Sequence, residues 1–384
     1  MHITATEKNT ESTPAYPKNL HWPSEGDFLD EVGWQPYIDE FKRIDRGEKP
    51  DVLWYLFLKK EILKVDKIKD HDIRQIVCAD PIFARIGACL EQAQNNLMKH
   101  HTEVSSGQCG WTPFRGGFEM RMRRLLSKPG HFIEFDWTRF DGTIPMSLFM
   151  RIKKIRWYLM DPDHRDRYRH IFHWYCNNIA KRYVLLPSGE VTIQTRGNPS
   201  GQISTTMDNN MVNYWLQAFE YHYLGCDLSK WRDYDTLIYG DDRLTRHPCV
   251  PHNYVPRVVQ MYKDVFGMWV KPEKVIVSEH LHGLSFCGFT INRDYTPRPT
   301  NPEKLLASLM TPCKLVPDID SFHGKLLSYQ ILAHYLADDH PFKDYVLKAI
   351  ESVYPHTTGA LPKRFTKHQL DRLWRGGPKD VPDG

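Results

Sequence analysis

The sequence predicts an α+β fold in which an antiparallel sheet is flanked by helices, and three segments carry that prediction. Thr236-Leu-Ile-Tyr239 reads as a short strand, Gly240 supplies a turn, and Arg243-Leu244 begins the return strand. His131-Phe-Ile-Glu-Phe135 reads as a second, buried strand that ends at Asp136. After Gly201 the pattern turns helical, because Ile203, Met207, Met211, Trp215 and Phe219 recur every four residues as one apolar stripe.

The remaining elements follow in order along the chain. Residues 1 to about 25 are polar and rich in Thr, Pro and Asn, which suits an extended surface segment. Residues 26–130 mix helical patterns, such as Asp80 to Leu90, with loops, and Ser127-Lys-Pro-Gly130 is a turn into the first strand. A helix is expected from Pro145, a tolerated first-turn proline, to about Met160, with Leu148, Ile152 and Ile155 inward. Residues 163–190 read as a helix and a hairpin around Pro187-Ser-Gly189. Three prolines between Arg293 and Pro302 mark a boundary, and residues 303–384 read as helical, fraying from Arg375 onward.

Composition bounds the class. The 384 residues are 41% hydrophobic and 26% charged, with 19 Tyr, 18 Phe and 11 Trp, which argues against disorder. A net charge of +4 does not by itself indicate a nucleic-acid partner, so the distribution matters more. Lys59 to Arg74 holds six basic residues, a cluster that can neutralise phosphates or form a solvated helix face. Arg115, Arg121, Arg123, Arg124 and Lys128 form a second cluster, equally well a solvated helix face. The eight cysteines contain no Cys-x2-Cys pair, so neither a zinc site nor a disulfide framework is indicated, and free thiols in a reducing cytosol fit best. No apolar run approaches the ~20 residues of a membrane span.

Chemistry concentrates in the acidic residues. Asp241 and Asp242 are adjacent in a turn, where like charges repel and raise one another's pKa. A divalent cation removes that cost. If the strand ending at Asp136 lies beside this hairpin, Asp136, Asp241 and Asp242 converge into an oxygen-rich site suited to Mg²⁺. Thr205, Asn209 and Asn213 share a second face of the predicted helix. Short neutral groups there suit recognition of hydroxyls such as those of a ribose, or a polar edge satisfied by neighbouring loops.

Taken together these segments resemble the positive-strand RNA virus RNA-dependent RNA polymerases, and the wording around Asp136 and Asn209 looks like the astrovirus-type enzymes of the picornavirus-like supergroup. Asp136 and Asp141 match motif A, Ser200-Gly201-x3-Thr205-x3-Asn209 matches motif B, and Gly240-Asp241-Asp242 matches motif C. Lys59-Lys60-Glu61 with Lys64, Lys67, Lys69 and Arg74 looks like motif F. Ser12-Thr13-Pro14-Ala15-Tyr16-Pro17 resembles motif G, with Ala15 where a glycine is usual. Gly267 to Lys274 resembles motif D, and Phe286-Cys287-Gly288-Phe289 sits where the motif E turn belongs.

The resemblance implies a right-hand polymerase fold: fingers at 1–130 and 161–190, palm at 131–160 and 191–292, thumb at 293–384. It implies two Mg²⁺ ions, with Mn²⁺ as a substitute, bridged by Asp136 and Asp241 with Asp242 auxiliary. Asp141 and Asn209, assisted by Thr205 or Ser200, would read the ribose, and Lys67 and Arg74 would meet the triphosphate. Lys274, with Lys271 as fallback, would be the general acid. Ser200 and Gly201 would let the motif B loop move. Lys59, Lys60, Lys64, Lys69, Thr13, Tyr16, Phe286 and Cys287 would contact RNA. Expected partners are an RNA template and primer, NTPs, a protein primer and other viral replication proteins, in the host cytoplasm at membrane-associated complexes. A silent RNA-binding scaffold predicts damaged carboxylates, and none is damaged. A reverse transcriptase would carry a bulky aromatic at Asp141. A metal-dependent nuclease or phosphatase would need neither motif B nor motif F.

Overall fold

The computed structural model describes residues 2–376; Met1 and the end of the expected fraying tail, from Gly377, lie outside them. In chain order the helices are α1 Glu25–Val32, α2 Gln35–Asp45, α3 Val65–Lys69, α4 Pro81–His100, α5 Gly117–Leu126, α6 Phe140–Thr143, α7 Met146–Tyr158, α8 Pro162–Arg167, α9 Arg169–Ala180, α10 Thr205–Tyr223, α11 Tyr254–Met261, α12 Pro302–Met310, α13 Ile319–Ala333, α14 Pro341–Val353 and α15 Lys367–Arg375. The strands are β1 Leu53–Leu58, β2 Gln75–Cys78, β3 His131–Phe135, β4 Arg182–Leu185, β5 Val191–Gln194, β6 Asp235–Tyr239, β7 Asp242–His247, β8 Val275–Ser278, β9 Ser285–Phe286, β10 Phe289–Ile291 and β11 Pro297–Pro299.

The central sheet runs β6-β7-β3-β8 and is antiparallel throughout. As expected, the strand before Asp136 lies beside the hairpin, with Phe135 opposite Arg243. Side chains alternate across a pleated strand. Phe132 accordingly packs with Phe118, Met122 and Leu125 of α5, while Ile133 and Phe135 join the core containing Val212 and Leu216 of α10 and Val258 of α11. Helices therefore cover both faces of the sheet.

A second sheet, β2-β1-β4-β5, joins residues far apart in sequence through a parallel β1–β4 pairing. The third, β11-β10-β9, includes the proline-rich segment expected to be a boundary, with residues 297–299 as its outer strand. Beyond it α12, α13 and α14 enclose their own core of Leu309, Leu326, Leu327, Phe342, Val346 and Ile350. No helix among the described residues is long and apolar enough to cross a membrane.

Helix α10 departs from its apolar pattern. Met211, Trp215 and Phe219 are only partly buried, whereas Asp208, Asn209, Asn213, Gln217 and Glu220 are fully buried. Buried polar groups need partners, and α10 finds them in the β6–β7 hairpin and in the helices packed beside it.

Candidate active site

Motif A is built by a strand end followed by a reversal. Asp136 is the first residue past β3, and its backbone N–H donates to the Lys274 carbonyl at 3.1 Å. Arg139 takes the left-handed conformation (φ +52°) and starts α6, which places Asp141 in the first turn of that helix. The Asn209 amide donates to Asp141 Oδ1 at 2.6 Å, and Asn198 Nδ2 donates to Asn209 Oδ1 at 2.9 Å. This chain fixes which way the Asn209 amide points. Asn198 N–H also donates to the Asp141 carbonyl at 2.8 Å. Burial, and then the charge of Asp241, push the Asp141 carboxyl up to about 6, while the Asn209 bond pulls the other way. Gly197 is required here: its φ is +80°, and a Cβ would stand 2.6 Å from the Asp141 carbonyl oxygen.

The β6–β7 hairpin closes with Tyr239 opposite Asp242, so its loop is Gly240-Asp241 and Gly240 has φ +63°. The expectation of both carboxylates at the tip is corrected: Asp241 is in the loop, and Asp242 opens the return strand. Burial raises the Asp241 carboxyl, with the Asp136 charge adding to it and Arg74 opposing it. Asp242 is pushed up to about 7, chiefly by burial and further by Asp241, Glu134 and Asp136. Its Oδ2 accepts from the Cys287 backbone N–H at 2.6 Å. Cys287 and Gly288 both have positive φ (+52° and +80°), which is the two-residue turn type that matches strand twist. Asp242 thus ties the two hairpin tips together.

Asp136 is half-exposed and forms an ion pair with Lys274 Nζ at 3.4 Å. Among the described residues, no group of three or more His, Cys, Asp or Glu side chains is gathered closely enough to hold one metal ion in this conformation. The expected convergence of Asp136, Asp241 and Asp242 is therefore incomplete here. Repulsion accounts for it: Asp136 turns to Lys274 and Asp242 to the Cys287 amide, while the Asp136 charge still raises Asp241, and Asp241 and Asp136 raise Asp242. A hard, solvent-accessible all-oxygen donor set of this kind has the chemistry that a divalent cation satisfies.

The basic segment sits on the β1–β2 connection. Lys59 N–H donates to the Arg74 carbonyl at 2.8 Å, while Lys60, Lys64, Lys67, Lys69 and Arg74 are exposed. Lys67 pairs with Asp72 at 3.5 Å and Arg74 with Glu61 at 3.8 Å, both loose surface pairs. The Arg74 charge nonetheless reaches the site, lowering both Asp141 and Asp241. Asp72 also receives Arg139 from within motif A at 3.3 Å, a link that the sequence did not signal.

Other expected contacts are engaged elsewhere. Phe286 is fully buried beside Trp111, so its side chain is core, correcting the expectation of RNA contact; the Cys287 thiol is largely buried, which pushes its pKa up. Thr205 Oγ1 donates within its own turn, to the carbonyls of Pro199 and Gln202. Ser200 and Gly201 pack on β2: Gly201 N–H donates to Val77, and a Cβ at Gly201 would lie 2.4 Å from the Val77 oxygen. The loop expected to be mobile is anchored at this point. Ala15 takes φ +58° and is fully buried, filling the glycine-like position expected for motif G, while Tyr16 stands exposed and Thr13 is half-buried.

The Arg115–Lys128 cluster resolves as largely structural. Arg121 bonds Gln108 and Thr102 in the interior, and Arg124 grips Asp235 through two 2.8 Å bonds. Two buried networks went unnoticed in the sequence. Asp208 accepts from Lys153, Arg156 and Gln202, and Lys153 also reaches Glu91. Glu220 accepts from Arg243, Tyr254 and Tyr262 under the hairpin. Asn210 was also missed, while Asn213 is a polar helix edge satisfied by a neighbouring loop; both bond the backbone of Gly240.

A family model described as viral RNA-dependent RNA polymerase matches residues 25–352. The chain is 61% identical over 382 residues to the non-structural polyprotein 1AB of Human astrovirus-5, covering 99% of this chain and 27% of that protein. It is 57% identical over 390 residues to the non-structural polyprotein 1AB of Mink astrovirus 1, covering 99% of this chain and 28% of that protein. The chain therefore spans under a third of the length of the relatives it matches. Its fold is similar to the Sicinivirus 3Dpol RNA dependent RNA polymerase, with a TM-score of 0.76 at 19% identity, covering 96% of this chain and 77% of that one.

Proposed function

The chain belongs to the viral RNA-dependent RNA polymerase family, and we propose that it copies an RNA template by transferring NMP from NTP to an RNA 3′-hydroxyl with release of pyrophosphate. The observation that carries this reading is the Asn209–Asp141 bond beside Asp241. It sets a sugar-reading pair within the field of a candidate metal ligand. In this reading 1–130 and 161–190 are fingers, 131–160 and 191–292 palm, and 293–384 thumb.

Asp136 and Asp241, with Asp242 auxiliary, would hold two Mg²⁺ or Mn²⁺ ions. Bound there, such ions neutralise charge on the attacking and leaving oxygens and lower the pKa of the 3′-hydroxyl. The protein's own groups do the rest. Asn209 and Asp141 hydrogen-bond the ribose hydroxyls. Arg74 and Lys67 meet the triphosphate, Arg74 through its forked donors. Lys274 gives a proton to the departing pyrophosphate. The exposed Lys60, Lys64, Lys69 and Tyr16, with the half-buried Lys59, face the RNA. A protein primer, other viral replication proteins and host-cytoplasmic, membrane-associated complexes complete the proposal.

Incorporation of ribonucleotides against deoxyribonucleotides on one RNA template tests the activity. The reading expects strong preference for ribonucleotides; preference for deoxyribonucleotides would replace it with reverse transcription.

A further inference from the structure

We propose that Asn210 and Asn213 are positioning residues that clamp the hairpin tip and so fix Asp241 relative to Asp141. The proposal rests on the polymerase reading of the site. Both peptide groups of Gly240 are held by α10. The Gly240 N–H, in the peptide before its Cα, donates to Asn210 Oδ1 at 2.6 Å. The Gly240 carbonyl, in the peptide that leads into Asp241, accepts from Asn213 Nδ2 at 3.1 Å. Fixing both planes leaves Asp241 little freedom in a loop whose glycine has φ +63°. Asn213 is fully buried, so its amide has no water to return to.

The same helix carries Asn209, which holds Asp141. One rigid element thus sets both the sugar-reading carboxylate and the hairpin aspartate. The outer edge of β6 is fixed as well, since Ile238 exchanges backbone bonds with Ser106 and Gln108. The tip therefore has its freedom removed from two sides.

Two substitutions one turn apart separate hydrogen bonding from added charge. Asn210→Asp keeps an acceptor for the Gly240 N–H, whereas Asn213→Asp loses the donor to the Gly240 carbonyl. Both add the same charge to the same helix. Partners that orient a ligand typically contribute about 10–100-fold in activity or metal affinity. In primer extension the clamp predicts that Asn213→Asp lowers kcat about tenfold more than Asn210→Asp, with the NTP KM little changed and the Mg²⁺ requirement raised. Equal losses, or the reverse order, would overturn it. If Asn213→Asp does not fold, Asn213→Ala decides, and an unchanged kcat there overturns the clamp.

A second measurement needs no activity. Tyr239-Gly240 is a unique Tyr-Gly pair in the chain, so ¹³C′-Tyr/¹⁵N-Gly labelling isolates the Gly240 amide by NMR. Its hydrogen exchange should be slow in the wild type and at least about tenfold faster in Asn210→Ala. Exchange at the rate of an open loop in the wild type contradicts the clamp. An inactive wild type would count against the polymerase reading alone, while exchange still judges the clamp.

Discussion

The amide of Asn209 donates to the carboxylate of Asp141 at 2.6 Å, joining the start of α10 to the end of motif A across 68 residues of sequence. Asn198 holds the far side of the same amide, so the pair stands preorganised. If this pair reads the ribose, Asp141 Oδ2 and the second amide N–H of Asn209, which the pair itself does not satisfy, lose a partner when the 2′-hydroxyl is missing.

An unsatisfied buried polar group costs about 1–3 kcal/mol, roughly 5- to 150-fold. Asn209→Ala should therefore lower the ATP-over-dATP preference by about tenfold in single-nucleotide incorporation. The Asp141→Ala, Asn209→Ala double variant should lose less than the sum of the singles, because the two act as a unit. Additive losses would place them in separate roles.

Acid should weaken the fold through His247. Its ring is fully buried against Tyr221 and Tyr234, and Nδ1 accepts from the Cys249 N–H at 3.2 Å. Burial, with His131 adding, pushes the imidazole down to about 4. The folded state thus binds fewer protons than the unfolded one between about 6.5 and 4. Stability from this group is present above pH 6.5 and lost as pH falls toward 4, amounting at most to about 3 kcal/mol. Urea unfolding at pH 7 and pH 4.5 should show a smaller pH dependence in His247→Gln than in the wild type.

The Lys153 network should be costly to break. Lys153, Arg156, Glu91 and Asp208 are all buried, and Lys153 lies 2.8 Å from Glu91 and 2.7 Å from Asp208. Removing one partner leaves an uncompensated buried charge, about 3–5 kcal/mol. Lys153→Met should lose that much in urea unfolding, while Lys154→Met on the exposed side stays within about 0.5 kcal/mol.

Lys274 and Lys271 can be told apart kinetically. Lys274 Nζ lies 3.4 Å from Asp136 Oδ2. A general acid contributes about 10²–10⁴-fold, so Lys274→Met should depress kcat within that range and Lys271→Met should not. The reverse pattern would transfer the role to Lys271.

What the sequence made legible was local. The hairpin at Gly240 and the strand before Asp136 show themselves through a turn residue and short apolar runs, and their neighbourhood follows once β3 pairs with β7. Asp242 was placed one residue out because β7 starts at the second aspartate. Helix α10 was located correctly, but its buried face was misread. Periodicity registers hydrophobic residues, whereas Asp208, Asn213 and Gln217 are buried with hydrogen bonds to residues outside the helix. Pairings such as Asp208 with Arg156, or β1 with β4, join segments with no shared local pattern. The core position of Phe286 was equally hidden, since an aromatic beside a turn reads alike whether it faces Trp111 or solvent.

The central claim is that this site makes RNA with Asp241 as a metal ligand. Primer extension on an RNA template with Mg²⁺ and ribonucleotides, comparing the wild type with Asp241→Ala, tests it most directly. The account predicts extension by the wild type and none by a folded Asp241→Ala. Equal activity in the two proteins would contradict it.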